Sequence, residues 1–97
     1  MMTSKQRSRL KSIAANLQPV TQIGKGGISE NLIKTLSEAL EARELIKVTV
    51  LETAEADADT IAQNVADLLE AEVVAVIGRK AIFYRFSSRD HFAHLEF

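Results

Sequence analysis

Leu10, Ile13, Ala14 and Leu17 recur at i, i+3, i+4 and i+7, the spacing of one face of a helix. Thr3, with Gln6 three residues on, has the pattern of a capping box that starts this helix. Pro19 ends the helical region, because the residue before a proline avoids the helical conformation. Val20-Thr21-Gln22-Ile23 alternates and is β-branched at three of its four positions, which predicts a short strand. Gly24-Lys25-Gly26-Gly27 breaks it. Ser29 then stands ready to cap a second helix, with Leu32, Ile33, Leu36, Ala39 and Leu40 facing inward.

Leu45 to Leu51 predicts a second strand, with Ile46, Val48 and Val50 on one face and Lys47 and Thr49 on the other. The acidic, alanine-rich stretch from Glu52 to Ala58 is expected to be a loop, with Asp57 or Asp59 capping a third helix built on Ile61, Val65, Leu68 and Leu69. Val73 to Ile77 is an apolar run, expected as a central strand. Gly78-Arg79-Lys80 is expected to turn the chain tightly, and Ala81 to Phe86 to return as its partner. Ser87 to Phe97 carries no firm pattern and is expected as a flexible or loosely docked tail. The order α-β-α-β-α-β-β predicts an α/β fold with helices packed on a four-stranded mixed sheet. No repeat, linker or low-complexity tract divides it, so residues 1–97 are expected as one domain, with a core over about 3–87 and a tail over 88–97.

Composition narrows the classes. With 97 residues and 46% hydrophobic content there is material for one core. There is no cysteine, so disulfides and thiolate zinc sites are excluded, which fits a reducing compartment. The polar, basic N-terminus from Met1 to Arg7 leads into no apolar segment, so no signal peptide is expected. The longest apolar run falls far short of the roughly 20 residues of a membrane helix. A soluble, cytoplasmic protein is expected, and nothing demands more than a monomer.

A net charge of −1 by itself counts against a nucleic-acid binder. The distribution of the charges argues the other way. Lys5, Arg7, Arg9, Lys11 and Lys25 precede the first acid, and from residue 73 onward Arg79, Lys80, Arg85 and Arg89 face only Asp90 and Glu96. The acids concentrate between residues 26 and 72. Two basic ends therefore bracket an acidic middle, and a basic face forms if the ends meet in the fold.

Gly24 to Gly27 is the most informative segment, a G-x-x-G loop between a strand and a helix. Glycines let a ligand come close to the backbone, and the following helix directs unpaired N–H groups at the loop, where they can hold a phosphate. Lys25 adds a mobile cation, and a similar loop in KH domains clamps an RNA backbone. The plainer reading is a glycine-rich turn with an exposed lysine. Arg79, Lys80 and Arg85 bring further cations to the last hairpin, where phosphate contact needs only reach and charge. Phe83, Tyr84 and Phe86 offer rings that can stack on a base, although Phe83 and Tyr84 are expected to fill the core instead.

Several segments together resemble a known family. They are Thr3-Ser4-Lys5-Gln6-Arg7, Leu17-Gln18-Pro19-Val20, Gln22-Ile23-Gly24-Lys25-Gly26-Gly27, Glu44-Leu45-Ile46-Lys47-Val48, and Val76-Ile77-Gly78-Arg79 through Tyr84-Arg85. In this order they look like the CRM domain (chloroplast RNA splicing and ribosome maturation), whose stand-alone bacterial form is the YhbY family. The likeness runs from about residue 3 to 87. It implies a fold similar to the C-terminal domain of bacterial translation initiation factor three, RNA binding through Gly24 to Gly27, and association with precursors of the large ribosomal subunit. Plant relatives assist intron splicing. Ala15 departs from the histidine often found there, and Phe86 from a proline that often follows the Tyr-Arg pair. Neither lies in the glycine loop.

Catalysis finds little support. With no cysteine, a nucleophile would have to be a serine, and both histidines, His91 and His94, lie in the tail. Asp90, His91, His94 and Glu96 contain metal-ligand types at a spacing that matches no strong motif, so a solvated tail is expected, with no metal, no cofactor and no catalytic residue. Glu30, Glu38, Glu41, Glu44, Asp59, Asp67, Glu70 and Glu72 are expected to form solvated helix faces. The competing reading is a protein-interaction module that docks basic ribosomal proteins through those acids. The RNA-binding set expected from sequence is Gly24, Lys25, Gly26 and Gly27, with Lys5, Arg7, Arg9, Lys11, Lys47, Arg79, Lys80 and Arg85.

Overall fold

The computed structural model describes residues 2–97. Its elements are α1 (Ser4–Ala14), β1 (Gln22–Ile23), α2 (Glu30–Arg43), β2 (Leu45–Val50), α3 (Ala58–Leu69), β3 (Glu72–Ile77) and β4 (Lys80–Tyr84). All three helices start on the expected caps. Thr3 and Gln6 form the full capping box, Ser29 Oγ accepts from the Leu32 N–H at 3.1 Å, and Asp57 accepts from the Thr60 N–H at 2.8 Å. The first strand is shorter than its β-branched run, because only Gln22 and Ile23 pair with β2.

The sheet is mixed and four-stranded, in the order β1-β2-β4-β3, with β1 parallel to β2 and the other two pairings antiparallel. The apolar run over Val73–Ile77 is thus an edge strand, not the central one expected. Its hydrophobicity comes from cover on both faces. Val73 and Val76 pack against the core beneath α3, while Val74 joins the core beneath α1. A register shift between Val73 and Ala75 makes this possible, since a bulge re-aims alternate side chains.

Two cores result, one on each face of the sheet. Ile46, Val48 and Val50 of β2 and Ala81 and Phe83 of β4 meet α2 and α3. On the other face Leu10 and Ala14 of α1 close over Leu45, Val74 and Ile82. Small residues let α3 sit close, with Ala58, Ala62 and Ala66 buried alongside Ile61, Val65 and Leu69. Leu68, expected inside, points to solvent.

The C-terminal segment is docked, contrary to the loose tail expected. Glu44, at the C-cap of α2 with φ 65°, is fully buried. Its carboxylate accepts the Ser87 N–H at 2.7 Å and the Leu95 N–H at 2.8 Å, and lies 2.6 Å from His94 Nδ1. Burial pushes this carboxyl up, but those three partners outweigh it and hold it below the ordinary range. Ser88 binds the Glu41 carboxylate, and the Phe97 ring meets Tyr84 edge-on at 5.0 Å. Glu41 and Glu44 therefore anchor the tail, and they do not belong to a solvated acidic face. Among the described residues no helix is long and apolar enough to cross a membrane.

Candidate nucleic-acid interface

Gly24 to Gly27 forms a single turn, closed by the Gly27 N–H donating to the Gly24 carbonyl at 2.9 Å. Gly27 holds φ +70°, a conformation that side chains other than glycine's resist. Gly24 is needed for a different reason, since a Cβ there would meet Leu51 Cδ1 at 3.0 Å and Thr53 Oγ1 at 3.1 Å. Lys25 and Gly26 are exposed at the apex, and their amides have no backbone partner among the described residues. Those two amides and the Lys25 ammonium are the groups the turn can offer to a phosphate. The first turn of α2 contributes less than its dipole suggests, because Glu30 already stands there.

The turn opens onto a groove lined by Thr21, Gln22, Ser29, Asn31 and Thr35 together with Leu32, with no carboxylate among its lining residues. The surface continues past Gln22 to Thr49 on β2, its register partner, and from Thr49 to Lys80 on β4. Lys47 and Lys80 then face Lys11 of α1 across a basin. No acid is among the residues that line these three hollows, from the glycine turn to α1. Lys11, Lys25, Lys47 and Lys80 take part in none of the ion pairs among the described residues. Lys5 and Arg9 are exposed farther along α1, outside the basin.

Two arginines do not join this track. Arg85 is turned inward, where its guanidinium donates to the Leu69 carbonyl at 2.9 Å and to the Ser37 carbonyl and hydroxyl at 3.0 and 2.9 Å, with Glu41 at 3.9 Å. It joins the end of α3 to the middle of α2. Arg7 donates to the carbonyls of Val73 and Val74 at the bulge of β3 and lies 3.8 Å from Glu72. Charge alone makes both of them phosphate ligands, but in the fold backbone carbonyls engage their donors. Arg79 sits in the hairpin turn, and its exposed pair with Glu52 at 3.6 Å is of a kind worth little, so it stays accessible.

Phe83 is wholly buried and Tyr84 partly so, as expected of core rings, whereas Phe86 is exposed and stacks on His94 with centroids 3.8 Å apart. His94 is thereby engaged by Phe86 and Glu44, and among the described residues no three side chains of metal-binding type come together. Sequence reasoning missed the basin beneath Lys11. The available signal was Lys47 and Thr49 alternating with buried valines on β2, together with Ser8 and Ser12 one turn apart beside Lys11.

The family model for the CRS1 / YhbY (CRM) domain matches residues 2–85. The chain is 42% identical over 90 residues to "Probable RNA-binding protein YqeI" of Bacillus subtilis, covering 93% of this chain and 94% of that one. It is 38% identical over 86 residues to "Probable RNA-binding protein MJ0652" of Methanocaldococcus jannaschii, covering 87% of this chain and 63% of that longer protein. Among solved structures, SAV1595 of Staphylococcus aureus superposes with a TM-score of 0.77 at 44% identity, over 93% of this chain and 94% of that one.

Proposed function

The chain belongs to the CRS1 / YhbY (CRM) domain family, and from that premise we propose that it is a non-catalytic RNA-binding protein whose ligand lies along the track from the glycine turn to the lysine basin. The observation that carries this reading is the continuity of that track, from the glycine turn through Thr49 to Lys11, Lys47 and Lys80. The relatives named as RNA-binding proteins support the same reading. A phosphate is held by the amides of Lys25 and Gly26 with the Lys25 ammonium over it. The remaining lysines hold neighbouring phosphates, and Arg79, Lys5 and Arg9 flank the path. Such contacts position a strand without reading its sequence.

The RNA we propose is ribosomal RNA in precursors of the large subunit, a proposal that rests on the family likeness. Its test is sedimentation of the tagged protein from gently lysed cells, wild type beside Lys25→Glu. Wild type should travel with large-subunit particles, and the variant should stay at the top of the gradient. If both stay at the top at low salt, the ribosomal reading is wrong.

A further inference from the structure

Ser8, Lys11 and Ser12 on α1 and its C-cap Ala15 follow one another at i, i+3, i+4 and i+7, a stripe beside the one the helix buries. They form one wall of a basin of about 370 Å³, which falls within the range of roughly 300–1,000 Å³ typical of small-ligand sites. The sheet supplies the rest. Ile77 makes an apolar floor over the buried Ile82, and Lys47 and Lys80 line the basin together with Lys11. Ile77 is 49% exposed, one of few large apolar side chains that this fold leaves in water.

Three ammonium groups from three elements, none of them in an ion pair among the described residues, thus surround a small apolar floor, with two serines on one wall. The complementary occupant is a small body with an apolar face, polar edges and negative charge before and after it. A nucleobase between its two phosphates has that form. We propose that the basin takes one unstacked base of a single-stranded RNA, while Lys11, Lys47 and Lys80 hold the phosphates on either side. This deepens the RNA-binding reading and rests on it. The row Gln22–Thr49–Lys80 links the basin to the glycine turn across two strand spacings, each about 4.8 Å, so a short single strand reaches both. A duplex keeps its bases stacked and out of reach, so the basin selects single strands.

The test uses a labelled ten-nucleotide oligoadenylate and an abasic strand of equal length and charge. Wild type should prefer the base-bearing strand about five- to tenfold, the lower part of the range for one seated base. Ala15→Phe fills the basin without altering charge and should remove the preference. Lys80→Ala is an exposed change that preserves the fold, and it should weaken both strands. Lys25→Glu should also weaken both, with the preference intact. Equal affinity of wild type for the two strands, or a preference that survives Ala15→Phe, overturns the basin while leaving the glycine turn to its own variant. An unchanged Lys25→Glu with the preference lost in Ala15→Phe overturns the turn and keeps the basin. Failure of wild type to bind either strand at low salt, or equal displacement by polyglutamate, removes both.

Discussion

Gly26 and Gly27 are neighbours in one turn and answer to different constraints. At Gly27 the positive φ costs an alanine about 1 kcal/mol. At Gly26 an added Cβ would meet nothing within 4 Å. Gly27→Ala should therefore lower the urea midpoint, and Gly26→Ala should leave it where it is. If a phosphate rests on the turn's backbone, Gly26→Ala should still weaken RNA binding severalfold, because its methyl stands where the ligand approaches. Undiminished affinity in that variant would move the strand away from the turn. Arg85 gives the opposite separation. Its removal deletes three hydrogen bonds, to the carbonyls of Leu69 and Ser37 and to the Ser37 hydroxyl, so Arg85→Ala should cost about 2 kcal/mol in denaturant unfolding. The slope of RNA affinity against salt should not change. Nothing in the sequence distinguishes this arginine from Arg79, because a guanidinium near the last hairpin reads the same whether it meets water or a carbonyl. Its partners lie 16 and 48 residues away.

At the scale of elements, what local chemistry determines was legible. The three N-caps, the alternation in β2 and the glycine turn each depend on residues within a few positions of one another. The position of β3 at the sheet edge and the docking of the tail depend on distant partners, and no periodicity encodes those. The tail's anchor at Glu44 makes a prediction of its own. Its carboxyl is held below the ordinary value of 4.5 in the fold and returns to it on unfolding. The contribution is therefore complete above pH 4.5 and is lost as pH falls through the lower folded value. Glu41, lowered by its bonds to Ser88, acts in the same direction. Tyr84 is the single tyrosine and there is no tryptophan, so its fluorescence reports whether Phe97 remains seated. Acid titration should change that emission below pH 4.5, before the far-ultraviolet circular dichroism of the helices is lost. Glu44→Gln should show the released signal already at about pH 7, and an emission identical to wild type there would mean that Glu44 does not hold the tail.

Over the whole molecule, a net charge of −1 and an RNA track are compatible because the fold separates the signs. Glu30, Glu38, Asp59, Asp67 and Glu70 are exposed on α2 and α3 or at their ends, the helices covering one face of the sheet. Lys11, Lys47 and Lys80 lie on the other face. With a Debye length of about 8 Å at physiological ionic strength, the acids across the sheet are largely screened from a strand on the lysines. Affinity then follows local contacts and not the total charge. Each phosphate neutralised on a single strand contributes about −0.7 to the slope of log K against log salt, so the four lysines of the track set a slope of about −3. Titrating a single-stranded RNA between about 50 and 200 mM salt should give that value, with a loss of about 0.7 for each of Lys11→Ala, Lys25→Ala, Lys47→Ala and Lys80→Ala. Glu38→Gln and Asp67→Asn change the net charge by the same amount as one lysine substitution and should leave the slope alone. Were the acidic substitutions to steepen it, the electrostatics would be set by the whole molecule, and a local track of four lysines would not describe how the strand is held.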